Sequence, residues 1–311
     1  VYAEGLLEIT KLHTEMDQDF DLFLAYEEIR DSKEFSDLSI PKQKAVTNAI
    51  KDFHLTGVNL SASEKAKLLD LNSSLSTLST KFSNNVLDST QEWQKTIINL
   101  EELSGIPKNA LSLMSQAALQ KGSEGYLVTL DIPTYVAIVT HCDNRDLRKE
   151  IYLAYGTRSS KVGPGGDRFD NTEIIYEVLE KRRDLAEVLG FKNYAEFSVS
   201  KKMAGSPEEV LSFLRELGRK AKPQAEEEMK LVESHAKNSH SLDQIEPWDV
   251  AYYSEKLKQD LFEISDELLR PFFPVPRVLE GMFEVARRLF EIDIKANNTL
   301  ATWHDDVLTF E

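Results

Sequence analysis

The chain has 311 residues (35.4 kDa), 41% of them hydrophobic and 29% charged, a globular balance that excludes collagen-like, low-complexity and wholly disordered classes. No stretch approaches the roughly 18 uninterrupted apolar residues of a membrane span. With 37 basic and 53 acidic residues the net charge is −16, a field that repels phosphate backbones and argues against nucleic-acid binding.

In chain order, the opening Val1-Tyr2-Ala3-Glu4 has no Met, no basic segment and no apolar run, so no signal peptide is visible. The chain reads as opening in mid-pattern. Ser39-Ile40-Pro41 predicts a helix start, because proline in the first turn gives up no needed N–H, and Gly57 predicts its end. Ser61 with Glu64 three residues on predicts a capping box. Leu68, Leu71, Leu75, Leu78 and Phe82 then follow at 3-4-3-4 spacing, one stripe of a helix running to about Asp88. Partial alternation over residues 93–100 and the run 126–130 predict short strands. Residues 159–169, with Gly163-Pro164-Gly165-Gly166, predict a flexible loop. Asp170-Asn171 starts a helix that Gly190 stops. Ser206-Pro207-Glu208-Glu209 starts a long one, and Pro223 inside it predicts a kink or a split. Pro276 opens a helix through Leu279, Met282, Phe283, Ala286 and Leu289, and residues 300–310 read as a terminal strand. The fold class is mainly α. Composition shows no internal domain boundary, so residues 1–311 are taken as one helical portion.

Little in the residues assembles a catalytic centre. A zinc-protease helix needs two His at i and i+4 with Glu between them, and none of His13, His54, His141, His235, His240 and His304 forms such a pair. His235 and His240, five apart, are expected on different helix faces. His304-Asp305-Asp306 is compact, but adjacent residues do not converge on one metal. There is no G-x-S-x-G, and Cys142 beside His141 reads as structural. The Gly163 segment lacks the Lys-Ser/Thr of a phosphate loop. The basic runs Lys181-Arg182-Arg183 and Arg287-Arg288 read as solvated helix faces. Arg145 and Arg148 read as anchors of helix contacts through carboxylates. Two aromatic-acidic clusters stand out: Trp248-Asp249-Val250-Ala251-Tyr252-Tyr253, where a helix would put Trp248 with Tyr252 and Asp249 with Tyr253, and Trp303-His304-Asp305-Asp306-Val307. Such clusters line peptide channels, and they also occur at buried helix contacts where Tyr and Trp polar atoms need partners.

Taken in order, the stretches Lys81-Phe82-Ser83-Asn84-Asn85-Val86-Leu87-Asp88, Leu130-Asp131-Ile132-Pro133-Thr134-Tyr135, Asn144-Arg145-Asp146-Leu147-Arg148-Lys149-Glu150, Gly190-Phe191-Lys192-Asn193-Tyr194-Ala195, the Trp248 cluster, Leu269-Arg270-Pro271-Phe272-Phe273 and the Trp303 cluster resemble the thimet oligopeptidase family of zinc metallopeptidases. The resemblance implies the helical non-catalytic portion of a two-lobed zincin-type oligopeptidase with a few short strands. In that family a narrow channel between the lobes admits short unstructured peptides, and a zinc held by an HExxH helix and a later Glu activates water. Those residues lie beyond Glu311, so the chain reads as a portion truncated at both ends. No catalytic or metal residue is carried over to it. Zinc is expected in the full-length parent and none in this chain. The implied partners are short peptide substrates and the missing catalytic lobe of the same polypeptide, with no nucleic acid and no membrane. The implied location is cytoplasmic, with an organelle matrix or stroma as the alternative. Asp249, Tyr252, Tyr253 and His304 are the expected channel residues, fold maintenance being the competing role. The competing function is a helical peptide-binding module without an active site.

Overall fold

Short-range signals set most helix ends, and among the described residues four apolar clusters hold the helices before residue 263 together. The computed structural model describes residues 5, 6, 8, 9, 12, 13, 16 and 19–311; the opening stretch 1–4 lies outside the described residues. Helix α1 (Phe20–Asp31) starts at Asp19, whose carboxylate accepts from the backbone N–H groups of Asp21 and Leu22. Helix α2 (Ile40–Leu55) has its proline in the first turn and is followed by Gly57 at φ +86°, a left-handed conformation that glycine adopts without Cβ strain. Phe23, Ile50, Phe53 and Val58 form the small core these two helices share.

Helix α3 (Ala62–Glu92) carries the predicted capping box, with Ser61 and Glu64 each bonding the other's backbone. It overruns the expected end near Asp88 by one turn. Its 31 residues make a rod of about 46 Å. Leu68 and Leu71 of its stripe are buried with Leu185, while Phe82 is exposed, so the cover thins toward the C-terminal end.

Strands β1 (Gln94–Ile97) and β2 (Tyr126–Thr129) pair antiparallel with Gln94 opposite Thr129. This two-stranded sheet packs with α4 (Lys108–Gln120), α5 (Ile132–His141) and α6 (Arg145–Gly156) around the largest core, where Val128, Ile138 and Ile151 are fully buried. Each such side chain contributes about 1.5–3 kcal/mol by leaving water. Asp131 caps α5 through Thr134 N–H and Asn144 caps α6 through Leu147 N–H.

The 159–169 segment, expected as a flexible loop, is anchored. Ser89 of α3, itself buried, donates to the Pro164 carbonyl at 2.9 Å and accepts from Ser159 N–H at 3.1 Å. The buried Asn171 donates to the Phe82 carbonyl and accepts from Asn85 at 2.8 Å. Those bonds seat the start of α7 (Thr172–Val188) against α3, and Gly190 at φ +80° follows the helix. Helix α8 (Tyr194–Val199) adds Tyr194 and Phe197 to the α3–α7 core.

Helix α9 (Pro207–His240) is continuous through Pro223, so the expected split is absent. Residues 211–228 are exposed, so water satisfies the carbonyl of Arg219 that proline leaves unbonded. The flanking Lys, Ala, Gln and Glu residues are strong helix formers. Helix α10 (Val250–Phe262) packs on the end of α9 through Val232, Ala236, Tyr252 and Tyr253. Trp248 and Asp249 sit in a 3-10 turn before α10, not on the helix that would have put Trp248 with Tyr252.

After α11 (Asp266–Leu269), helix α12 (Val275–Phe290) is strongly amphipathic and has no buried residue. Val275, Val278, Met282, Val285 and Leu289 form an exposed 3-4-3-4 seam. Phe283, on another side of the helix, meets Phe310 with ring centroids 5.0 Å apart. The expected strand over 300–310 is reduced to a single bridge, Ala296 opposite Phe310. Lys295 and Glu311 exchange backbone bonds at its end, but turns occupy most of the segment between.

Candidate functional site

The two arginines at the start of α6 decide the geometry around Asp249. At positions i and i+3 they project from one helical face toward the turn that precedes α10. Asp249 Oδ1 accepts from Arg148 Nη2 at 2.8 Å, and Oδ2 accepts from Arg145 Nη2 at 2.7 Å and from Glu246 N–H at 3.1 Å. Arg145 Nε bridges both oxygens at 3.1 Å. The Asp249 and Arg148 side chains are 0% and 1% exposed, and Arg145 is 42% exposed. Burial opposes the charge on Asp249, but the hydrogen bonds from both arginines outweigh it and hold the carboxyl below the ordinary carboxylate value.

Arg148 continues the network. Its Nη1 donates to the Cys142 carbonyl at 2.7 Å, and its guanidinium lies 4.0 Å from the Tyr252 ring centroid, a cation–π contact. The Tyr252 hydroxyl donates to Asp143 Oδ1 at 2.8 Å, and Ser104 donates to Oδ2 at 2.7 Å. Burial first, then the Asp143 carboxylate, pushes the Tyr252 phenol far above its ordinary value. Burial also opposes the charge on Asp143, and the Ser104 and Tyr252 hydroxyls, with Lys256 and Arg148, outweigh it and lower its pKa.

The structure therefore brings Asp249, Tyr252 and Tyr253 together around Arg148, all three buried. The carboxylates and the Tyr252 phenol of the cluster are committed. Both Asp249 oxygens hold charged donors, and the phenol of Tyr252 is committed to Asp143. The fourth expected residue, His304, lies on an exposed turn where its Nδ1 accepts from Asp306 N–H at 3.2 Å; beside it Trp303 is 87% exposed. Cys142 is buried and its Sγ donates to the Glu102 carbonyl, and burial pushes its thiol up, the profile of an inert cysteine. Among the described residues no three His, Cys, Asp or Glu side chains are placed to hold a metal ion. Asp143 was missed by sequence reasoning; the Asp-Asn pair ahead of α6 was its available signal.

His235 and His240, expected on different helix faces, nevertheless bring their rings into contact. Their ring centroids are 5.4 Å apart, because His240 is the last residue of α9 and its side chain leans back along the helix. His235 Nε2 is buried without a hydrogen-bond partner, 3.8 Å from Asp260, and the tilted Tyr253 ring lies 5.3 Å from that of His240. Burial, then His235 and Lys256, lower the His240 pKa below 6.5, with Asp260 and Asp143 opposing. The unfolded chain thus binds this proton more readily, so stability falls as pH drops through 6.5 toward the folded value. His240→Gln should lose part of that slope. The melting-temperature difference between variant and parent is expected to move in the variant's favour from pH 7.5 to pH 5.5; a difference constant across that range refutes the link. The effect is modest, because His240 is exposed and solvent screens it.

Residues 138–311 match the family described as Peptidase family M3, and residues 3–65 match the Neurolysin/Thimet oligopeptidase N-terminal domain. Oligopeptidase A of Escherichia coli (strain K12) is 42% identical over 310 residues, covering 100% of this chain and 46% of that protein. The organellar oligopeptidase A (chloroplastic/mitochondrial) of Arabidopsis thaliana is 37% identical over 96% of this chain and 38% of that protein. The dipeptidyl carboxypeptidase of Escherichia coli (strain K12) is 27% identical over 98% of this chain and 44% of that protein. The chain spans half or less of the length of these curated relatives. With the family match running over more than half of its residues and the N-terminal match preceding it, the chain belongs to peptidase family M3.

Proposed function

We propose that this chain supplies the helical framework of a zinc-dependent oligopeptidase that hydrolyses short unstructured peptides, with the zinc ligands and the general base lying outside these 311 residues. The 42% identity to an oligopeptidase A along the whole chain supports the reading. The chain's own side chains do not fit the metal, since no three ligands converge among the described residues. Asp249, Tyr252 and Tyr253, being buried, would shape a channel wall from behind, while exposed His304 would face the peptide. The bare seam of α12 and the exposed Leu211, Leu214 and Leu217 of α9 would face the catalytic lobe. A cytoplasmic location is proposed by analogy with a relative named probable cytosolic oligopeptidase A, and an organelle location by analogy with the organellar relative.

The test has two arms. The 311-residue chain with added zinc should show no chelator-sensitive cleavage of a quenched peptide. A chimera carrying it in place of the matching part of Escherichia coli oligopeptidase A should show such cleavage. Turnover by the chain alone would refute the assignment of the active site. A folded, zinc-loaded chimera that binds peptide without cleaving it would favour the peptide-binding module.

A further inference from the structure

Two segments far apart in the chain wall a concavity of about 660 Å³. One wall is the face of α2 bearing Lys44, Asn48 and Lys51, at helical spacings of four and three. The other is the turn after α8 with Lys201 and Lys202. The walls are tied across the gap: Lys51 Nζ donates to the Ser200 carbonyl, and Lys201 pairs with Asp52 at 2.7 Å. Asp52 is the only carboxylate lining the cleft, and Lys201 already neutralises it. Lys202 has a neutral partner, Ser198 Oγ at 2.9 Å. Lys44 forms no ion pair among the described residues. Four ammonium groups against one carboxylate leave a net local charge of +3, in a chain whose net charge is −16.

We propose that this cleft is a binding site for a short, densely charged phosphate chain, such as inorganic triphosphate or the triphosphate of a nucleotide. The donor type selects the ligand. Lysine is a compact point charge without the planar fork that pairs with a carboxylate or a phosphate in two-pronged fashion, so four lysines read charge density rather than the shape of one group. The volume falls within the range of small-molecule sites. The two ties hold the walls in place, so ordering them adds little to the cost of binding. The chain's net charge of −16 is unfavourable to a long polyanion such as RNA, which favours a ligand short enough to stay within the cleft.

Titration calorimetry of inorganic triphosphate into the 311-residue chain, at low salt and without divalent ions, tests the site. One saturable site is expected, with affinity that falls steeply as salt is added. Lys44 and Lys202 are exposed, so Lys44→Ala/Lys202→Ala should leave the melting temperature unchanged and weaken binding by about tenfold or more. Lys44→Arg should retain most of the affinity. Equal affinity for ATP and triphosphate assigns recognition to the phosphate chain alone, and tighter ATP binding assigns it to a nucleotide. No saturable heat at millimolar ligand, unchanged affinity in the double variant, or equal binding of citrate each overturns the proposal.

Discussion

Asp249→Ala is expected to destabilise the protein by about 3–5 kcal/mol, the usual cost of removing one partner of a buried ion pair, and a large part of a domain's typical stability. The reason is the group left behind. Arg148 is 1% exposed, its Nε already lacks a partner, and without Asp249 its charge would face the Tyr252 ring and two backbone carbonyls. Arg145→Ala should cost much less, because its side chain is 42% exposed and water replaces its partner. Denaturant unfolding with fitted slopes measures both. A loss under about 1 kcal/mol for Asp249→Ala would mean that the pair does not hold α6 to the start of α10. The sign with pH follows from the lowered carboxyl. The stabilisation is fully present above the unfolded value of 3.8 and is lost as pH falls through the folded one.

Gly105→Ala is expected to cost about 2–5 kcal/mol, combining a left-handed backbone conformation with a steric clash. Gly105 has φ +85°, and an added Cβ would stand 2.2 Å from the His141 carbonyl oxygen and 2.8 Å from Asp143 Oδ1. The methyl group would push against the carboxylate that receives Ser104 and Tyr252, so strain at Gly105 reaches α10. Gly190 is the control: its φ is +80° with nothing within 4 Å of an added Cβ, so Gly190→Ala carries only the conformational term, about 1–2 kcal/mol. Thermal or denaturant unfolding of the two variants separates the contributions. Equal losses would show that the close approach at Gly105 carries no energy.

The features legible in the sequence are those written within a few residues. Ser61 with Glu64, Pro41 and Pro276 in first turns, and Gly57 and Gly190 after helix ends all act locally, and the structure places each where the pattern pointed. The α3 stripe was legible because a 3-4 spacing needs no knowledge of its partner. Long-range features were not. Asp249 finds Arg145 and Arg148 across 104 and 101 residues, and Tyr252 finds Asp143 across 109. Arg145 and Arg148 were legible as carboxylate anchors, but no spacing rule names their carboxylate. The split expected at Pro223 is absent because proline's local cost of about 3 kcal/mol is one penalty in a helix of 34 residues whose neighbours there are strong helix formers. The terminal strand misled because alternation does not reveal whether a second strand lies alongside to complete the ladder. The contact between His235 and His240 was not legible because angular position on a helix ignores side-chain reach at the last turn.

Among the described residues four apolar clusters, rather than one continuous interior, hold helices α1 to α10. Local opening free energies follow the contacts each region owns. The α1–α2 unit, with four buried apolar residues, can therefore open while the cluster around the β1–β2 sheet, with twelve, stays closed. Damage is compartmentalised in the same way: a truncated side chain in one cluster is felt by the helices that meet there, while distant clusters keep their packing. Between the α6 and α10 clusters the Asp249–Arg148 bond acts as a mechanical coupling beside the Tyr252–Asp143 bond, and its loss would loosen the tie by which the two regions yield together.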